Sequence, residues 1–254
     1  MVKNILNNIT QLLKKTPAGT AAPSKQEPLL MTMTGDIFQP IRLYYRIHDK
    51  NALNRIFSNL SCMSSDPRNE RWVWLYDGEA KALKFKKSYS AIPKERRPIV
   101  LGSFYSSGDN EMHLDVGSIE RASKAIVFFD KRLKRTVAEV TYFAIYNKLL
   151  PQSEHPGSNF DTLFSEVKTD EIKANQQAAI ERMKVAVKAG AFMELLNDRS
   201  FKLVEAGPTN FYEDGIKSFE TSLNMRQHVA VKRWQGEPDF VFNDIIRAIA
   251  NNKN

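Results

Sequence analysis

A chain of 254 residues, 42% hydrophobic and 26% charged, has the composition of an ordinary globular protein and is long enough for one large domain or two small ones. Its single cysteine, Cys62, excludes an internal disulfide and a multi-thiolate metal site within one chain, and fits a reducing compartment such as the cytoplasm. A formal net charge of +8 favours polyanionic partners through long-range attraction and counterion release. No apolar run approaches the roughly 20 residues that cross a bilayer. The first apolar residues are interrupted by Asn and Lys, so a soluble protein without a secretory signal is expected.

Residues 1–15 place Val2, Ile5, Leu6, Ile9, Leu12 and Leu13 on one helical stripe, opposite Lys3, Asn4, Asn7, Asn8, Gln11 and Lys14. The Pro-, Ala- and Ser-rich stretch that follows reads as a linker over 16–35. Such a helix is marginal alone and must bury its stripe: on its own body, in a partner protein's groove, or on a membrane surface. An α+β domain is expected over 36–150 and a mainly helical extension over 151–254.

From Ile41 the period changes. Ile41, Leu43, Tyr45 and Ile47 alternate with Arg42, Tyr44, Arg46 and His48, as in a strand with one buried face. Asp49 caps a helix carrying Leu53, Ile56, Phe57 and Leu60. The run 71–77 is β-rich and ends in Asp77-Gly78, a turn signal from which 82–85 is expected to return as a hairpin partner. Residues 98–106 and 111–116 form a second hairpin, and Gly117-Ser118 opens a helix through Arg135. The β-branched and aromatic residues of 136–150 favour a strand. Strand, helix, hairpins, helix and strand in that order predict an antiparallel sheet packed with helices, in the broad manner of ferredoxin-like folds. After a loop at 151–159 come a long helix from Thr169, a short strand or extended connector at 201–208, an ambiguous segment over 213–234 and a last helix from Glu237-Pro238.

Dinucleotide, P-loop, zincin and serine-hydrolase signatures are all absent, and the four histidines lack metal-ligand spacing; no cofactor or metal is implied. Glu111, His113 and Asp115 alternate onto one strand face, which is expected to be a polar outer face; they are the one group to test under an enzymatic reading. The basic segments carry the leading expectation. Lys84, Lys86, Lys87, Arg96 and Arg97, with Lys81 and Lys94, are interleaved with Phe85 and Tyr89, which combines cations for phosphates with rings for bases. Lys124, Lys131 and Arg135 recur at helical spacing, and Arg42, Tyr44 and Arg46 give a strand face like the basic, aromatic sheet surface of single-strand RNA binders, without their RNP-type motif. The expectation is non-catalytic binding of RNA or DNA with low sequence specificity. The alternative is an adaptor recruited to a protein or membrane surface through residues 1–15.

Overall fold

The computed structural model describes residues 27–157 and 160–251; the amphipathic segment 1–15 and the first part of the linker lie outside them. Alternation in 41–47 yields β1 (Ile41–Ile47), which buries Ile41, Leu43, Tyr45 and Ile47 on one face. The Asp49 carboxylate accepts the Ala52 N–H at 2.9 Å and starts α1 (Lys50–Ser58), whose Leu53 and Phe57 join the same core. A meander follows: β2 (Met63–Asp66), β3 (Arg71–Leu75), β4 (Val100–Ser106) and β5 (Glu111–Val116). Ser118 accepts the Arg121 N–H at 3.2 Å to cap α2 (Ile119–Asp130), after which β6 (Ala138–Tyr146) returns beside β1. The C-terminal part is mainly helical, with α3 (Asp161–Phe164), α4 (Thr169–Lys188), α5 (Phe192–Leu195), α6 (Phe211–Asp214), α7 (Ile216–Trp234) and α8 (Phe242–Asn251). It also contributes β7 (Val204–Pro208).

All pairings are antiparallel, and the sheet runs β2-β3-β4-β5-β1-β6-β7. Within it, β6-β1-β5-β4 has the strand order and directions of a ferredoxin-like βαββαβ unit, with α1 and α2 as its helices. β2 and β3 extend that unit on one side and β7 on the other. β7 ends in Pro208, which an edge strand tolerates because one side of it needs no ladder donor. The class is α+β.

One face of the sheet carries the main core. Phe129 of α2 lies 4.9 Å from Phe104, 5.2 Å from Trp74 and 5.9 Å from Phe57, ring centre to ring centre. Burying each such ring contributes about 1.5–3 kcal/mol relative to leaving it exposed, so these helices are held by the sheet rather than by propensity. Phe219 and Leu223 of α7 join the same cluster.

Two local expectations are corrected and one open segment is settled. Residues after Asp77-Gly78 do not return as a strand: Gly78 to Ala82 make a 3-10 turn, and β3 pairs with β2 and β4 instead. The Glu79 carboxylate accepts the Ser61 and Cys62 N–H groups at 3.1 and 3.0 Å, fastening that turn to the start of β2. Gly78 has φ +46°, and a Cβ there would sit 2.7 Å from the Ser61 Cβ, so the site requires glycine. The helix begun at Ser118 stops at Asp130 rather than Arg135, although Leu133 still turns inward and is buried. The ambiguous 213–234 segment is largely α7. It buries Phe219, Leu223 and Ala230 along one side and Met225 and Val229 along another, and two stripes blur the single helical period.

Candidate nucleic-acid interface

The second face of the sheet is where the strand-borne candidates sit, and it is not open. Leu30 and Phe38 cover it from before β1, and Leu150, Phe160 and Phe164 from after β6. Arg42 lies beneath them, 6% exposed. Its Nε and Nη2 donate to the two Asp115 oxygens at 2.7 and 2.9 Å, and Nη2 also reaches Asp161 Oδ1 at 2.7 Å. Asp115 further accepts the Phe160 N–H at 3.2 Å, and the guanidinium carbon stands 5.4 Å from the Phe164 ring centre. Burial works against the Arg42 charge, but the hydrogen bonds and attraction of Asp115 and Asp161 outweigh it and hold the guanidinium more firmly charged than usual. The expectation that Arg42 faces phosphate is therefore overturned: it is an internal counter-ion.

The same burial corrects the polar outer face assigned to Glu111, His113 and Asp115. The three do share a side of β5, but Asp115 is 3% and His113 7% exposed; Glu111 alone is open. His113 stacks on Tyr105 (5.4 Å between ring centres, 24° between planes), and Tyr44 lies 6.4 Å away on the other neighbouring strand. The Ser107 hydroxyl and His113 Nδ1 share a 2.6 Å hydrogen bond, while Nε2 finds no hydrogen-bond partner among the described residues and Asp161 Oδ1 lies 3.9 Å off. Burial first, then the Arg42 charge, depress His113 to about 4. Tyr44 is half-buried and pushed by burial up to about 12. Cys62 is buried and its thiol held protonated, pushed up to about 12 by burial and by Glu79. Among the described residues, no group of three His, Cys, Asp or Glu side chains is placed to hold a metal ion.

The remaining candidates are on the helices, the far end of β1 and the basic loop. Arg46 and Arg135 both approach Glu139, at 3.8 and 3.1 Å, beside His48, and Arg135 also stands over the Tyr212 ring. Lys131 is exposed at the C-terminal end of α2, while Lys124 bonds Glu120 at 2.8 Å and stands over Phe85. The basic loop runs along α2: Ala82 and Leu83 border a cleft with Lys124 and Lys131, and Val100 at its other end meets the Arg121 side chain.

That loop, between β3 and β4, folds against the turn 32–36. The Lys87 N–H donates to the Thr34 carbonyl at 2.9 Å, Arg96 Nη1 reaches Met33 Sδ at 3.8 Å, and a Cβ on Gly35 would lie 3.3 Å from Lys86 and Lys87 carbons. Beneath the turn, Arg121 of α2, 7% exposed, donates to Thr34 Oγ1 at 3.2 Å and to the Val100 carbonyl at 3.1 Å. Thr34 in turn donates to Asp36 Oδ2 at 2.8 Å. Lys84, Lys86, Lys87, Lys94 and Arg96 are exposed and make no ion pair among the described residues. The loop rings behave otherwise. Phe85 is buried, 5.1 Å from Tyr76, and Tyr89 is half-buried between Lys81 Nζ at 4.8 Å and the Arg97 guanidinium at 4.5 Å. Arg97 itself is tied to the Ile92 and Ser90 carbonyls. Sequence reasoning missed Arg121, Ser107 and Asp161. Only Arg121 had a local signal, a charge set between the apolar positions Ile119 and Ala122 just after a cap.

Comparison of the chain with protein-family models, curated proteins and solved structures finds no match.

Two outcomes follow from the closed face. Arg42→Leu strands the Asp115 carboxylate and should cost about 3–5 kcal/mol in urea unfolding. Adding Asp115→Asn, which keeps an acceptor for the Phe160 N–H, should return most of that loss; no recovery would show the charge pair is not what holds the face. For His113, the folded value lies below the ordinary 6.5, so protonation opposes folding. Its contribution is complete above pH 6.5 and drains as the pH falls toward 4, by about 3 kcal/mol in all. His113→Phe should flatten the stability profile across that window; an unchanged profile would contradict the assignment.

Proposed function

We propose that this chain is a non-catalytic nucleic-acid-binding protein of the cytoplasm that holds single strands of RNA or DNA by their phosphates, with low sequence specificity. The observation that carries the reading is the set of exposed cations on one loop, Lys84, Lys86, Lys87, Lys94 and Arg96, left without ion pairs among the described residues. Of the candidate cations elsewhere, Arg42 is paired with Asp115, Arg135 with Glu139 and Lys124 with Glu120, while Lys131 stands exposed and alone. A charge already paired gains little by exchanging its partner, whereas each free cation that meets a phosphate releases a condensed counterion. Tyr89 acts as a spacer that sets the loop's shape, since Lys81 and Arg97 occupy its surroundings. The exposed side chains of Met31, Met33 and Val100 provide apolar contact for bases beside the cations. The buried, protonated thiol of Cys62 suits the cytoplasm.

Fluorescence anisotropy with a labelled single strand tests this. Binding should weaken steeply as salt rises, and Lys86→Glu with Lys87→Glu should lower both the affinity and the salt slope. The slope should fall by about 1–1.5, at roughly 0.7 for each phosphate no longer neutralised. Arg46→Glu, at the far end of β1, should change neither. Absence of binding at low salt to any single or double strand would overturn the reading and leave recruitment through residues 1–15 as the better account.

A further inference from the structure

The cleft beside the start of the basic loop holds about 440 Å³ between the 3-10 turn Gly78–Ala82, α2 and the start of α7. Ser123 and Val127 of α2 and Lys131 just past its end are four residues apart in turn, so they share one side of the helix and line the cleft together. Leu83, Val127 and Ile216 give it half-buried apolar walls. Several of its polar groups lack partners. Lys131 is exposed and Arg132 half-buried, and neither makes an ion pair among the described residues; Arg132 keeps one donor on the Phe128 carbonyl at 2.8 Å. Glu220 of α7 is half-buried and likewise without an ion pair among the described residues. Burial, then the Glu120 charge, raise its carboxyl above its ordinary value. Ser123, 5% exposed, has a buried hydroxyl with no hydrogen-bond partner among the described residues.

We propose that this cleft receives one nucleotide of a bound single strand, with its base between Leu83, Val127 and Ile216 and its phosphate at Lys131 and Arg132; this rests on the reading that the basic loop holds such strands. Each feature narrows the occupant. Half-buried apolar walls suit a flat ring, and two unpaired cations suit a phosphate. An unpaired, half-buried carboxylate suits an exocyclic amine, which adenine, cytosine and guanine carry and uracil and thymine lack. A fatty acid would use the walls and the cations but give Glu220 no donor, and an apolar peptide side chain would leave all three charges unmet. The volume lies within the roughly 300–1,000 Å³ of small-molecule sites. The cleft is also continuous with the loop. Leu83 directly precedes Lys84, and Lys124, on the cleft's rim, stands over Phe85 at 5.4 Å. Lys84 and Lys131, far apart in the sequence, thereby serve one strand.

Saturation-transfer NMR titrations of the full chain with CMP and UMP test it, since these two differ at the ring amine. CMP should bind about tenfold tighter than UMP, and Glu220→Met should remove the difference. Ala82→Trp sets a neutral plug at the cleft's rim and should abolish CMP binding, while Lys131→Glu should weaken it about tenfold. Both alter exposed residues, so the urea midpoint should hold. Arg46→Glu, away from the cleft, should leave CMP binding unchanged. No CMP binding by a protein that still binds single strands at low salt would overturn the proposal and leave the reading of the loop standing. So would CMP binding that survives Ala82→Trp and vanishes with Lys86→Glu and Lys87→Glu, which would place the nucleotide on the open loop. A protein that binds neither strands nor CMP would contradict both.

Discussion

Arg42 in the middle of β1 holds two parts of the chain that sequence order keeps far apart. Its two-pronged bond to Asp115 ties β1 to β5 within the sheet, and its third bond, to Asp161, brings in a segment 119 residues downstream. A guanidinium this deeply buried is tolerable only because its donors meet carboxylates in a fixed fork geometry. Once it is satisfied, Phe160 and Phe164 lie over the sheet, and Leu30 and Phe38 meet them there. A ferredoxin-like unit with helices on one face would otherwise leave its other face to solvent; here that face becomes a second, smaller core.

Closing that face decides where binding chemistry can sit. Tyr44, Tyr105 and His113 stand in register on three neighbouring strands, and in an open sheet such a row would offer rings to bases. Packed as they are, the rings serve one another: His113 lies on Tyr105, and Tyr105 receives a hydrogen bond from Arg71. One group of exposed cations sits at the end of the sheet, on the loop between β3 and β4 and over buried Arg121. Arg121 has no carboxylate at ion-pair distance among the described residues, and burial lowers it to about 10, still charged at neutral pH. The turn 32–36 thus rests on a cation and is surrounded by cations.

Local signals were legible where local physics decides. The alternation of β1, the Asp49 and Ser118 caps and the β4–β5 hairpin each rest on residues a few positions apart, and each stands in the structure. β2 was not legible: Met63–Asp66 is a four-residue edge strand with a mostly polar sequence, paired on one side only, so no apolar alternation marks it. At Glu111, His113 and Asp115 the period correctly put three side chains on one face, but a period of two cannot say which face is covered. That depended on Asp161, Phe160 and Phe164 arriving from beyond residue 150. In the basic loop, charge was visible in the sequence, but not the division of labour in which Phe85 and Tyr89 build the loop and only the cations face outward.

The proposal that single strands are met at the loop between β3 and β4 rests on the sheet face staying shut by Arg42. Photo-cross-linking of a single strand carrying 4-thiouridine, with the attached peptides identified by mass spectrometry, tests this most directly. Cross-links are expected in residues 31–35 and 84–100 and absent from 42–46 and 105–115. Attachment at His113, which is buried, would contradict it, because that side chain can meet a base only if the Arg42-held cover opens.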